Sequence, residues 1–369
     1  MKFMIYQNDK QRLRDAYCAQ IVRQWEKEGH SRTSDPDEAK FVLNVTDIDS
    51  PQIYRRRSRA IFVVSVVVLQ KCCADLRTLC YRMLVRTLSN LLICIVPQKK
   101  GLMESVQLPP ARVYFTTPEA GFYSADFDAP AIYRKMLPIV GAHLAIANSF
   151  SVDLPRAYWK QSAVVDQIQR HGKKLDELGV LPAPFPLKRF LTEEDIEHLY
   201  RLFQVKGLSY GNLSARETIP QLNERTFWMT ARGIDKGHIG RIGQDVLLVK
   251  GVDEAQGVIL ISVPPDYDPK ARVSVDAVEH ALIYREFPEV GAIVHIHAWM
   301  ENVCGTQQNY PCGTIELARE VVSLLRRTDN PACAVVGLKN HGLTITGPSL
   351  EAIFCRIEGR LIREVPMVA

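Results

Sequence analysis

Gly291-Ala292-Ile293-Val294-His295-Ile296-His297-Ala298 is a short apolar run that ends in two histidines one residue apart. In a strand, side chains at i and i+2 share a face, so His295 and His297 would stand side by side. A third histidine, His341, lies in Gly337-Leu338-Lys339-Asn340-His341-Gly342, after the apolar run Ala332 to Leu338. Three imidazoles suit a catalytic metal with a position left for water or substrate. Upstream, Phe227 to Ala231 reads as a strand running into a turn at Gly233, and Val246–Val249 and Val258–Ser262 read as further strands. Ser274-Val275-Asp276 opens a helix through Ala277 to Phe287, and the histidine strand follows it.

The 369 residues suffice for two domains of ordinary size. Apolar content of 47% and charged content of 24% are those of a globular protein, and a formal charge of +5 is too mild to argue for nucleic acid. Nine cysteines without a Cys-x-x-Cys pair suggest a reducing, cytoplasmic setting with free thiols, among them Cys304 and Cys312. The first residues do not read as a signal peptide. The longest apolar stretch, Ala60 to Leu69, is about half the length a membrane span needs and reads as a parallel strand buried on both faces.

Strands at Lys2–Tyr6, Phe41–Val45, Ala60–Leu69, Leu91–Val96 and Val113–Thr116 alternate with helices at Lys10–Glu28 and Cys72–Leu88. The pattern predicts a small α/β domain with a mostly parallel sheet. Helices over Ile132–Phe150 and Ala163–Leu178 complete an expected first domain of residues 1–180, whose role the sequence does not reveal. No Gly-x-Gly-x-x-Gly or phosphate-loop motif occurs in it, and Asn44 to Asp49 and the basic cluster Arg55 to Arg59 read as a polar turn and a solvated loop. Leu181-Pro182-Ala183-Pro184-Phe185-Pro186 marks a linker, taken as residues 181–190, because proline fixes φ and disfavours helix before it. A helix with Ile196, Leu199, Tyr200 and Phe203 on one face should open the second domain, residues 191–369.

Gly211-Asn212-Leu213-Ser214, Thr230-Ala231-Arg232-Gly233, Ser274-Val275-Asp276, His295-Ile296-His297 and Asn340-His341-Gly342, in this order, resemble the class II aldolase/adducin family, which includes L-fuculose-phosphate aldolase and L-ribulose-phosphate 4-epimerase. The resemblance covers about residues 190 to 361. It implies an α/β/α domain with a central, mostly antiparallel sheet, and a homotetramer or other homo-oligomer. His295, His297 and His341 match zinc ligands, with Fe2+ and Mn2+ as alternatives. Asp276 matches the family's acidic catalytic position, with Glu279 one helical turn on as the second choice, while His280 matches a family histidine of structural character. Gly211, Asn212, Ser214, Gly233 and Ser274 match loops that hold the substrate phosphate.

Two departures mark the pattern. Arg232 stands where the sugar-phosphate aldolases carry a small hydroxyl residue, and an arginine fork suits a carboxylate as well as a phosphate. Only residues 298 to 312 separate His297 from Gly313, and nothing there matches the family's proton-donating tyrosine, Tyr310 being displaced in the motif. The expected function is a metal-dependent lyase, an aldolase or decarboxylase, acting on a small anionic hydroxy or keto compound through a metal-stabilised enediolate. An epimerase, dehydratase or Fe(II) oxygenase on the same scaffold, and a non-catalytic adducin-like binding module, are the alternatives. Neither a nucleic acid nor a membrane is expected as a partner.

Overall fold

A computed structural model describes residues 1–56, 58, 60–70, 73–98, 108–181, 192–194, 196–197 and 210–368. The described residues form two compact units. The first holds residues 1–141 with the short stretch about Ile196 and residues 367–368; the second holds 142–181 and 210–366. The linker expected at 181–190, Leu181 apart, and most of the helix expected after it lie outside the described residues.

The first unit runs β1 (Lys2–Tyr6), α1 (Arg12–Lys27), β2 (Ser31–Arg32), β3 (Phe41–Val45), β4 (Phe62–Val68), α2 (Leu76–Arg86), β5 (Leu91–Pro97), β6 (Ala111–Thr116), β7 (Phe122–Asp126) and α3 (Ala129–Gly141). Its sheet has the order β2-β1-β3-β4-β5-β6-β7, parallel as far as β5 and antiparallel for β6 and β7. β4 is buried along its whole length, as a β-branched strand covered on both faces should be. The hairpin partner β7 was not visible in the sequence pattern, because its residues Phe122-Tyr123-Ser124-Ala125-Asp126 mix exposed and buried positions. Asn44 serves structure, its amide donating to Ser65 Oγ and to the Gln52 carbonyl.

The second unit adds β8 (Ala147–Ser151), α4 (Ala163–Glu177), β9 (Asn212–Arg216), β10 (Phe227–Thr230), β11 (Val246–Asp253), β12 (Val258–Ser262), α5 (Ala277–Glu286), β13 (Ala292–Ile296), α6 (Ile315–Leu325), β14 (Val335–Leu338), β15 (Gly342–Gly347) and α7 (Leu350–Ile357). The strand order is β14-β15-β13-β9-β10-β11-β12-β8, antiparallel throughout except for the β12–β8 edge pair. Residues 142–181 therefore belong to the second unit. The single helix expected over Ile132–Phe150 stops at Gly141, and β8 then pairs with β12 through residues 147–151.

Alternation along the strands gives the sheet two apolar faces. Phe227 and Met229 meet α5 and α6, whereas Trp228, Leu213, Val294 and Ile345 meet α4 and α7. Polar residues on the first face are consequently aimed at α5, and the candidate site is built there. Among the described residues, no helix is long and apolar enough to cross a membrane.

Gly172, inside α4, faces the 3-10 turn Lys236–His238, and a Cβ there would run into the Lys236 carbonyl and Ile239 Cδ1. Glycine to alanine inside a helix ordinarily stabilises by about 0.5–1 kcal/mol. At this crossing Gly172→Ala should instead cost about 1–3 kcal/mol by overpacking, read from urea unfolding. A gain in stability would show that the turn has room to retreat.

Candidate metal centre

β9 and α5 meet in three successive rungs. Asn212 Nδ2 donates to Asp276 Oδ2 at 2.7 Å, Ser214 Oγ lies 2.7 Å from His280 Nδ1, and Arg216 Nη2 donates to the Tyr284 carbonyl at 2.8 Å. A two-residue step along a strand advances about 6.6–6.8 Å and a four-residue step along a helix about 6 Å, so the two ladders stay in phase. Asp276 occupies the position before α5, where an acid ordinarily caps the helix. Its side chain makes no capping bond and turns to Asn212 instead.

His295 is paired directly with Asn212 on one side and Thr344 on the other, so all three face α5. His297 follows the end of the strand. His341 closes the turn between β14 and β15, its backbone N–H donating to the Leu338 carbonyl at 3.0 Å, and Asn340 holds the left-handed conformation at φ +58°. The three imidazoles converge, one ring nitrogen of each lying within 4.8 Å of the others. His341 Nε2 and His297 Nε2 are 3.2 Å apart.

The donor set fits a divalent cation. His295 Nδ1 lies 3.1 Å from the Leu343 carbonyl, which accepts its proton and leaves Nε2 with a lone pair. That Nε2 is buried and has no hydrogen-bond partner. Burial pushes the pKa of all three imidazoles down, with the mutual influence of the rings adding to it at His297 and His341. All three therefore favour the neutral, ligating form.

Around this cluster lies a set of buried polar groups. Glu279 accepts from Thr344 Oγ1 at 2.6 Å, and burial, reinforced by Asp276, raises its carboxyl to about 8. Burial and the nearby His295 hold His280 well below the usual histidine range. Ser214, bonded to both His280 and Tyr284, is wholly buried in this stack, so the structure gives it a bracing contact. Gly211 enters β9 at φ +79°, where a Cβ would strike the His295 carbonyl. Gly233 also turns at positive φ, and Arg232 is half-buried with its backbone N–H on the Arg272 carbonyl. Ser274 is buried beside the start of α5, its N–H donating to the Thr230 carbonyl at 3.2 Å.

Lys236 is a member of the site that sequence reasoning missed. It is only 2% exposed, and burial lowers its ammonium to about 8 against the opposing pull of Asp276. It is also close enough to His295 and His297 to depress both. A lysine between Asp235 and Gly237 in a loop carries no sequence signal for burial.

Residues 195–308 match the model of the Class II Aldolase and Adducin N-terminal domain. The family match is to residues 195–308 alone; it takes in Asn212, Ser214, Gly233, Asp276, His295 and His297, and stops short of His341. No curated protein matches the chain. Three solved structures share similarity with about half of it. YgbL from Escherichia coli is 19% identical over 52% of this chain and 82% of that one, with a TM-score of 0.32. YgbL from Klebsiella pneumoniae is 18% identical over 54% and 92%, also at 0.32. An aldolase II superfamily protein from Pseudomonas syringae is 18% identical over 53% and 74%, at 0.30. The activity of YgbL is itself given only as aldolase, epimerase or decarboxylase.

The raised Glu279 carboxyl has a consequence for stability. The folded chain keeps this proton up to about pH 8, whereas an ordinary glutamate loses it near 4.5. Metal-free protein should thus lose stability as pH rises between those values, by up to about 1.4 kcal/mol per unit, and show no such slope below them. Glu279→Gln should flatten the slope in urea unfolding of chelator-treated protein. An unchanged slope would mean that Glu279 titrates as an ordinary acid.

Proposed function

We propose that the second unit is a metal-dependent lyase, an aldolase or decarboxylase, acting on a small anionic hydroxy or keto compound. The convergence of His295, His297 and His341 beside the Asp276 carboxylate carries this reading. A divalent ion held by the three imidazoles, zinc for preference and Fe2+ or Mn2+ as alternatives, supplies Lewis acidity toward a substrate oxygen.

The chain's own residues do the rest. Asp276 takes a proton from the substrate and returns it, and Asn212, donating to Oδ2, fixes its orientation. In an aldol cleavage the proton comes from the hydroxyl on the departing fragment, which leaves as an aldehyde. The electron pair of the broken carbon–carbon bond passes toward the carbonyl. In a decarboxylation the ionised carboxylate leaves as carbon dioxide with no proton removed, and Asp276 passes a proton from solvent to the carbon left behind. Lys236, positive and desolvated next to Asp276, adds attraction for an anionic substrate in a dry site where charge is poorly screened. Arg232 and the backbone around Gly211 and Gly233 supply further donors for a carboxylate or phosphate. Assembly into a homo-oligomer is part of the same proposal.

Metal analysis by mass spectrometry tests it. The purified protein should carry about one divalent ion per chain, and the His295→Ala/His297→Ala double variant none. Asp276→Asn should retain the ion while cleavage of hydroxy- and keto-acid or sugar-phosphate substrates falls by at least about a hundredfold. Protein that neither carries nor takes up an ion would overturn the enzyme reading and leave a binding module.

A further inference from the structure

Cys312 sits in the turn before α6, and its sulfur reaches the histidine cluster. Sγ lies 3.4 Å from His341 Nε2 and 3.9 Å from Nδ1, so it approaches the ring on the side of the nitrogen that faces His297. The backbone around it is pinned. Thr314 Oγ1 donates to the Pro311 carbonyl at 2.7 Å, and the Gly313 carbonyl accepts from Ala145 N–H at 2.8 Å. Gly313 itself is at φ +72°, where a Cβ would collide with Ile146 Cγ2.

We propose that Cys312 Sγ is a fourth donor to this centre while no substrate is bound, making it a three-histidine, one-cysteine site at rest whose fourth position passes to the substrate oxygen in the reaction. The assignment holds only if the three histidines bind an ion, as proposed above. Three observations favour coordination over a plain thiol hydrogen bond. First, a ring nitrogen carries either one N–H or one lone pair. His341 Nε2 cannot bond well to both His297 Nε2 at 3.2 Å and Cys312 Sγ at 3.4 Å, whereas an ion between them satisfies all three. Second, tetrahedral bonds of about 2.0–2.1 Å to nitrogen and about 2.3 Å to sulfur set donors about 3.4 Å apart for two nitrogens and about 3.6 Å for nitrogen and sulfur. The observed spacings lie within a few tenths of an ångström of both. Third, the buried and unpartnered Nε2 of His295 turns to the same cluster.

Binding replaces the S–H bond with a metal–sulfur bond, and the proton passes to solvent. The thiolate takes one positive charge off the centre and favours a soft or borderline ion such as zinc over manganese. Cys304, which is exposed, serves as the control.

The full chain, stripped with a chelator and reloaded with Co2+, reads the sulfur directly, because a thiolate ligand gives cobalt an intense near-ultraviolet charge-transfer band. Wild type and Cys304→Ser should show the band. Cys312→Ser should lose it while still binding cobalt, with its visible d–d absorption retained. Cobalt bound through the histidines without such a band in wild type, or a band that survives Cys312→Ser, would overturn the assignment and leave the metal centre standing. No cobalt binding in wild type would overturn both. Should the variant fail to fold, alkylation of wild type decides. Metal should protect Cys312 from iodoacetamide and the chelator should expose it, while Cys304 reacts alike in both states. Equal reaction of Cys312 in both states would overturn the proposal.

Discussion

The register between β9 and α5 is the constraint on which the second unit depends. Each of its three rungs joins a side chain from the sheet to the helix, and each lies where the alternation of β9 points away from the apolar α4 and α7 face. A one-residue slip of β9 would turn Asn212, Ser214 and Arg216 into that hydrocarbon layer and Leu213 and Ala215 toward α5. Apolar packing on one side and polar bonding on the other therefore specify the same alignment. With β9 fixed, β13 is fixed beside it, and His295 is carried to the height of Asp276.

The cost of this arrangement is electrostatic. Asp276, Glu279, His280, Lys236, His295 and His341 are all buried, and His297 is half-buried beside them. Burial, reinforced by Asp276 at the carboxyl and opposed by it at the ammonium, brings Glu279 up and Lys236 down to about the same value, 8. Such groups contribute little to folding and oppose it when their partners are removed. The apolar clusters on the two faces of the sheet must carry that load. A packed core has no need of poorly solvated charge gathered in one place, which is why such clusters point to function.

Much of this was legible in the sequence, for physical reasons that can be named. His295 and His297 could be read because strand periodicity puts i and i+2 on one face, and His341 because a short turn follows an apolar strand. The buried strand β4 announced itself by its run of valines. The failures have equally local causes. Polar Asn148, Ser149 and Ser151 lack the alternation that marks a strand, so the end of α3 at Gly141 and the parallel pairing of β8 were hidden. The backbone of Lys236 lies against Gly172, far away in sequence, and nothing near the lysine marks its burial. Asp276 opens a helix, and only its partner on β9 shows that its carboxylate turns to the sheet. The position of Cys312 depends on a turn anchored to Ala145, again a tertiary matter.

The bond between His295 and the Leu343 carbonyl joins neighbouring strands and owes nothing to an ion. The ring is therefore already set in its ligating tautomer, as β13 lies between β9 and β15 with hydrogen bonds on both sides. In a zinc finger the metal creates the fold and its loss destroys it. Here every strand pairing around the histidines is made by backbone bonds, so an ion held by them would add to stability by mass action, growing with the logarithm of its free concentration.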